Sequence, residues 1–569
     1  MKLLSLVLLS IFRMVVIPVQ FADTKFTTGI EELSASVNIA ENYFRSQPSS
    51  ILPGSPDQGQ VEFIIAPVVS VSENLSHYGS NYVDRKDVLL HEAVREAIRL
   101  SVTSIDFSLL DNDADGIVDN IHLIVAGESE SDGGEPHTIW PQHDLLSNHG
   151  SVMSAGGKAI DSFTITTEHS SAGTICHELG HFLGLTDMYD TDGEGSGGLS
   201  SGLRSTSLMD DGCKNGEGVT PPNISALDLD AIGLKATPVT KKAYTLHPVS
   251  DGGDFLILNS NNSDEYYLLE CRQSTGWDKF IGGSGLVAYH IDKSSEAAGW
   301  SDILNRTISA KERWEYGMVN NNPTHECAKL LTGPSDDGSS RAVFFPDNGY
   351  TGIGQLDGPE FSFWDGSSSH LAVKDIHTNN DGSVTFEVIE PITIDGSIIH
   401  QDGITLKWRT DFSEEDISSY EIIWTDGRRN GTGTALAESR SFSIGGLSPK
   451  QTYTATVTIL LKNGLRYRNS TCFTTKFYQK DSYPYIYLGA NGQTMLSRNK
   501  DGSFIKGTRI PLKVYNAPDA MECLWYYDSK PITTDLDGLY TLERSGVLKA
   551  QILHDNGAWE TIEKEITVR

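Results

Sequence analysis

The sequence predicts a multidomain protein, one α/β domain followed by β-sandwich domains. Three observations lead there. The chain has 569 residues, and a single domain holds about 100 to 200, so several cores must follow one another. Between residues 15 and 234 apolar strand-like runs alternate with helical periodicity. Beyond residue 240 the helical pattern fades, and short strand-like segments separated by Gly, Asn, Asp and Ser clusters continue to the C-terminus.

Composition supports folded domains and narrows their partners. Hydrophobic residues make up 38% and charged residues 21%, enough apolar material to fill several cores. Lys and Arg number 44 against 76 Asp and Glu, a net charge of −32. No basic stripe interrupts that background, which excludes nucleic acid as a partner. The cysteines at 176, 213, 271, 327, 472 and 523 form no C-x-x-C pair, excluding a zinc ribbon or a thioredoxin-type motif. Their even number permits disulfides, and buried small hydrophobes fit equally well.

The elements follow in chain order. Met1-Lys2 and the apolar run 3–12 read as a signal peptide or a remnant of one, residues 1–13, ended by Arg13. Nowhere do about 20 uninterrupted apolar residues occur, so no transmembrane span is expected. The expected location is secreted or cell surface. The α/β domain, 14–240, opens with a strand at 14–21; further strands are expected at 61–71 and 121–126. A helix at 87–101 places Val88, Leu89, Ala93, Ala97 and Ile98 near one face. A β-rich domain associated with it, 241–388, has strands at 255–258, 266–270, 285–291 and 384–388, with a boundary near Pro391.

In 389–477, Thr405-Leu-Lys-Trp408, Ser419-Tyr-Glu-Ile-Ile-Trp424 and Leu447-Ser-Pro-Lys-Gln-Thr-Tyr453 resemble a fibronectin type III domain. In that family a tryptophan of the second strand fills the core, and the Leu-x-Pro-x-x-x-Tyr segment forms a tyrosine corner whose hydroxyl bonds to the backbone. Residues 478–569, with strands at 510–514, 523–527 and 546–552, read as an immunoglobulin-like β-sandwich with Trp525 in its core. Neither tail module carries a catalytic pattern. Spacing, or contacts with a cell surface or matrix, is their expected role.

The chemistry lies in His177-Glu-Leu-Gly-His181 and its continuation to Asp190. Histidines four apart on a helix share a face, so both imidazoles meet one tetrahedral metal, and zinc is the metal they suit. Glu178, one residue along, reaches the water beside the metal from the second shell, as a general base requires. A glycine at 184 permits a sharp turn that ends the helix and brings Asp187 back as third ligand, with Asp190 and Asp192 as competitors. The helix also carries Ile175, Leu179, Phe182, Leu183 and Leu185, so it can be buried. Met209, in Ser207-Leu-Met209, stands where metzincin-type proteases, a branch of the zincins, place a methionine turn beneath the metal.

On these residues the chain resembles the immune inhibitor A family of secreted zinc metalloendopeptidases, which carries H-E-x-G-H-x-L-G-L-x-D-x-Y-D and a later S-L-M. This sequence reads HELGHFLGLTDMYD at 177–190 and SLM at 207–209. Further likeness runs through 15–26, 111–119, 139–141, 266–273 and 285–292, so the resemblance covers about residues 14–388. It implies a metzincin-like α/β zincin fold, zinc on His177, His181 and Asp187, Glu178 as general base, Met209 as the methionine turn, and protein or peptide substrates. Family members carry a propeptide between signal and catalytic domain, whereas here the first catalytic strand follows directly on the apolar run.

A second constellation is Asp111-Asn-Asp113-Ala-Asp115-Gly-Ile117-Val-Asp119. Carboxylates at 111, 113, 115 and 119, with the Ile117 carbonyl, fit a calcium loop of the D-x-D-x-D-G kind. Four carboxylates so close repel one another unless a cation sits among them. Position 12 of the loop is His122, where an EF-hand has glutamate, and 121–126 reads as a strand, so a helix-loop-helix is not expected; an Asx-rich turn is the plainer alternative. His137 and His143 flank Trp140-Pro141; solvated loop residues are the plainer reading, and lining of a cleft is the alternative. The competing view of the whole chain is an inert zincin-like surface adhesin whose β modules do the binding.

Overall fold

The computed structural model describes residues 10–83, 85–261, 264–334, 336, 338–400, 402–476, 483–488, 498–517, 520–536, 538–555 and 557–569. Up to residue 9, the expected signal segment lies outside the described residues. The chain divides into two compact units. One runs to residue 352 and includes 361–367 and 374–387; the other comprises 353–360, 368–373 and 388–569.

The first unit is built on a sheet of β1 (Phe12–Gln20), β2 (Val61–Ile65), β3 (Ile121–Val125), β4 (Gln142–Leu145) and β5 (Ser162–Thr167), in spatial order β2-β1-β3-β5-β4. All pairings along this path are parallel except β5 with β4. Both faces are covered, as a parallel sheet requires. Alternate residues of β1 feed two separate cores: Phe12, Met14 and Val16 join one, and Val15, Ile17 and Val19 the other. On the first face lie α1 (Ile30–Ser46) and, beside it, the helix carrying His177; on the second lies α2 (Leu90–Ser101). The helix with His177, α3, spans Ala172–Phe182 and packs against α1, β5 and β4.

Three expected bounds shift. The strand expected from residue 14 starts at Phe12, which is 2% exposed, and Arg13 Nε donates to Glu62 at 2.9 Å. The end of the apolar run is thus sheet core. The strand expected at 61–71 is broken after Ile65 at Ala66-Pro67 and resumes only at Val69–Ser70. The helix expected from residue 87 begins at Leu90, because Asp87 is held at φ +48° by bonds of its own.

Part of the β-rich segment 241–388, between Val249 and Phe344, joins the core around the His177 helix. Its strands β6 (Leu256–Asn259), β7 (Glu265–Arg272) and β8 (Gly285–Asp292) pair antiparallel, and Leu268, Val287 and Tyr289 fall in the same buried cluster as Ile175, Leu179 and Met209. A buried charge network reinforces the join. Arg272, 2% exposed, donates from Nε to Asp278 Oδ2 at 2.9 Å and from Nη2 to Asp278 Oδ1 at 2.6 Å, and from Nη1 to Glu270 Oε1 at 3.2 Å. Asp278 and Glu270 in turn accept the backbone N–H groups of Asn223 (2.8 Å) and Ala226 (3.1 Å), fixing the loop that enters α4 (Ala226–Ala231).

In the second unit, β9 (Ile404–Arg409) belongs to a small sheet that faces β10 (Ile417–Thr425), β11 (Asn430–Leu436), β12 (Thr452–Leu461) and β13 (Arg466–Thr474), ordered β11-β10-β12-β13. Trp408 and Tyr420 fill the core between them, 3% and 0% exposed. The Tyr453 hydroxyl accepts the Ser448 backbone N–H at 3.0 Å, so the tyrosine corner forms. A separate core around Ile510, Leu542 and Leu548 underlies β14 (Ala520–Tyr527), β15 (Gly546–His554) and β16 (Trp559–Ile566), with Trp525 only partly buried at its margin. None of the six cysteines is bridged. Among the described residues, no helix is long and apolar enough to cross a membrane.

Candidate metal centre

Helix α3 starts at Ser171, whose hydroxyl accepts the Thr174 N–H at 3.1 Å as an N-cap. It ends in a Schellman motif: Gly184 N–H donates to the His181 carbonyl (2.9 Å) and Leu185 N–H to that of Gly180 (3.0 Å), with Gly184 at φ +93°. The turn expected at Gly184 is therefore present, and it does two things. It returns the chain so that Asp187 faces the histidines, and it presents the Leu185 carbonyl to His181 Nδ1 at 3.0 Å. The Leu208 carbonyl, just before Met209, meets His177 Nδ1 at 3.0 Å in the same way. Carbonyls only accept, so both Nδ1 atoms carry the proton and both Nε2 atoms present lone pairs.

Those lone pairs converge on one carboxylate oxygen. Asp187 Oδ1 lies 3.2 Å from His177 Nε2 and 3.3 Å from His181 Nε2, and it is buried without a hydrogen bond. Three Lewis bases at these distances repel one another unless a proton or a cation sits among them. Tetrahedral zinc bound at about 2.0–2.1 Å leaves about 3.3 Å between ligand atoms, so the cluster has the span zinc needs. Without a cation the cluster leans on a proton: burial opposes the His181 imidazolium, but Asp187 outweighs burial and lifts the ring to about 9. Burial alone would push the Asp187 carboxyl up; the two histidines hold it well below the carboxylate range. Asp190 and Asp192 are occupied elsewhere, accepting from Ser200 N–H (3.0 Å) and Ser196 Oγ (2.5 Å).

Glu178 is 5% exposed, and its Oε2 is buried with no partner. Burial, reinforced by Asp187, raises its carboxyl pKa against the pull of both histidines. Met209 lies under the helix: a Cβ at Gly180 would come within 2.6 Å of its Sδ. Met188 N–H donates to the Met209 carbonyl at 2.8 Å, tying the ligand-bearing turn to the methionine loop.

The structure also gathers residues that the sequence left aside. His143 is no solvated loop residue; it lies on β4, bonds Ser162 Oγ at 3.0 Å, and is pushed down to about 4 by burial and by nearby His181. Tyr189 stands with its ring 6.4 Å from that of His177. Position in the D-x-Y spacing was a signal for Tyr189; for His143 the flanking Trp140-Pro141 pointed to a cleft, but its place on β4 against β5 and α3 is not a local property. His137 is exposed as expected.

Of the second constellation, Asp111, Asp113 and Asp115 bring carboxylate oxygens within 4.8 Å of one another. Asp119 does not join them: its carboxylate accepts from Asn112 N–H (2.8 Å) and Nδ2 (2.6 Å). Ile117 lies in the short strand Ile117–Val118, its N–H donated to Asp115 at 2.7 Å. Lys158 pairs with Asp111 and holds its carboxyl below the usual range, while Asp111 Oδ1 stays buried without a partner.

With this geometry in view, the comparisons with known proteins converge. Residues 35–231 match the family described as immune inhibitor A peptidase M6, catalytic domain. This segment is similar to a peptidase M6 catalytic domain. Immune inhibitor A of Bacillus thuringiensis subsp. alesti is 30% identical over 162 residues, covering 24% of this chain and 23% of that protein. Pre-pro-metalloprotease PrtV of Vibrio cholerae serotype O1 (strain M66-2) is 29% identical over 154 residues, 22% of this chain and 17% of that one. The chain thus matches less than a quarter of the length of these curated relatives. The solution structure of the sixth fibronectin type III domain from human fibronectin type III domain containing protein 3 is 19% identical, covering 17% of this chain and 90% of that one, with a TM-score of 0.15. His177, Glu178, His181, Asp187 and Met209 all lie within the matched segment.

Proposed function

We propose that the chain is a secreted, zinc-dependent endopeptidase of the metzincin-like zincin type acting on protein or peptide substrates. The observation that carries the proposal is the convergence of His177 Nε2, His181 Nε2 and Asp187 Oδ1 beside an unpartnered Glu178 oxygen. Zinc, when bound by those three residues, supplies Lewis-acid activation of a water and polarisation of the scissile carbonyl. Glu178 takes a proton from the attacking water and delivers it to the leaving amine; its raised carboxyl pKa suits both transfers. The Leu208 and Leu185 carbonyls keep the imidazoles in the tautomer that leaves Nε2 free. The substrate backbone lies extended along β4, the antiparallel edge of the sheet against which α3 packs.

The same reading assigns 389–477 to a fibronectin type III module and 478–569 to an immunoglobulin-like one, as surfaces for cell-surface or matrix contacts. It also assigns calcium to Asp111, Asp113 and Asp115, supported by the unpartnered Asp111 Oδ1. A complete acid/base and ligand set speaks against an inert adhesin. Casein hydrolysis tests the function: the wild type should cleave, a zinc chelator should abolish cleavage, and Glu178→Ala should lose at least about 1000-fold in kcat. An inert wild type, or Glu178→Ala as active as wild type, would refute the peptidase reading.

A further inference from the structure

The start of β4 is held by one buried carboxylate from outside the sheet. Asp87, 4% exposed, accepts the Trp140 backbone N–H at 2.8 Å and the Gln142 side-chain amide at 3.1 Å, both on Oδ2. Its other oxygen is buried and has no partner. The segment that carries it is locked in turn. Asp87 N–H donates to Asn81 Oδ1 at 2.9 Å, Asn81 Nδ2 donates to the Pro136 carbonyl at 2.7 Å, and Lys86 pairs with Glu130 while standing 5.2 Å from the Trp140 ring centre. Gly79 permits this closeness: a Cβ there would fall 2.1 Å from the His137 carbonyl oxygen.

Asp87 thus sits where the chain turns from the 130–140 loop into β4. Two residues at that entry, one through its backbone and one through its side chain, hang on the same oxygen. Among the described residues β4 pairs on one side only, with β5. An edge strand that accepts an extended peptide does so by main-chain hydrogen bonds, whose fit depends on where the strand starts and how it is inclined. The hydrogen bonds of Asp87 go to neither the zinc ligands nor Glu178, so its influence falls on docking of the peptide and not on the proton transfers.

We propose that Asp87 is a positioning residue for substrate, fixing the entry of β4 so that the peptide backbone docks in register beside the metal centre. This rests on the peptidase reading above. An Asn at 87 keeps an acceptor for the Trp140 N–H, and its amide nitrogen can occupy the place of the unpartnered oxygen; an Ala keeps neither.

The test measures kcat and KM on a fluorogenic peptide spanning a casein cleavage site, together with zinc content. Asp87→Ala should raise KM about tenfold with kcat and zinc unchanged, and Asp87→Asn should restore KM to within about twofold. Gln142→Ala, which removes the strand side of the same contact, should raise KM about threefold, and it carries the test should Asp87→Ala fail to fold. If the wild type does not cleave the peptide, the peptidase reading falls and takes this one with it. If the wild type cleaves but KM is unmoved in Asp87→Ala or Gln142→Ala, or kcat falls in place of a KM rise, or Asp87→Asn fails to restore KM, the positioning role alone is overturned.

Discussion

Glu178 is buried on α3 and Asp187 partly buried just beyond its end, yet their surroundings push the two carboxylates opposite ways. Asp187 faces two imidazole nitrogens and stays ionised; Glu178 has an oxygen facing no donor, and burial raises it. That divergence suits the roles of ligand and base proposed for them. The pair of histidines and Glu178 were legible in the sequence because four-residue spacing on a helix is a local property. Asp87 was not, and His143 only as an alternative to a solvated residue, since each acquires its surroundings from segments distant in sequence. Asp87 gives a pH prediction. Burial lifts its carboxyl to about 7, against the Trp140 N–H, with Glu130 raising and Lys86 and the Gln142 amide lowering it. Below that pH the carboxyl is protonated and its bond to the Trp140 N–H loses its charge assistance, so wild-type KM should rise as pH falls from about 8 to 6. Asp87→Asn, with nothing to titrate there, should lack that component; identical KM–pH profiles for the two would contradict it.

At the scale of elements, α3 is specified by its own ends. Ser171 caps its start, and the Schellman turn at Gly184 both stops it and delivers Asp187, so the place of Asp187 beside the two histidines was legible through a glycine. The strand starts were less legible: burial of Phe12 by the sheet, and the break at Ala66-Pro67, depend on partners that periodicity does not name. The aspartate loop is an element whose expected ligand set was too large, because Asn112 diverts Asp119. Three carboxylates with one Lys158 leave net negative charge, and calcium should stabilise the loop. Saturating calcium added to zinc-loaded protein should raise Tm by about 3 °C, an effect lost in Asp113→Ala. No shift in the wild type would reduce the loop to an Asx turn.

Over the whole molecule, the association expected between the β-rich segment and the domain before it takes the form of one buried cluster, which residues between Val249 and Phe344 share with the His177 helix. β7 and β8 are buried along their whole length, so their sequences mark strands without naming what either face touches, and the Arg272 network joins residues as far apart as Asn223 and Asp278. A buried ion pair is costly to break because the partner is left charged and unpaired. Arg272→Ala should therefore cost about 3–5 kcal/mol of stability in urea unfolding and loosen the loop entering α4. A loss below about 1 kcal/mol would show the network to be incidental. The tyrosine corner of 389–477, by contrast, was legible from Tyr453 because it is a local motif, whereas the core place expected of Trp525 depends on strands distant in sequence.

The most direct test of the central claim is metal analysis of the purified chain and two variants, with casein cleavage measured on the same samples. One zinc per chain in the wild type, zinc retained but cleavage lost in Glu178→Ala, and both lost in Asp187→Ala is the predicted result. Zinc absent from the wild type, or retained in full by an active Asp187→Ala, would contradict the assignment of His177, His181 and Asp187 as the ligand set.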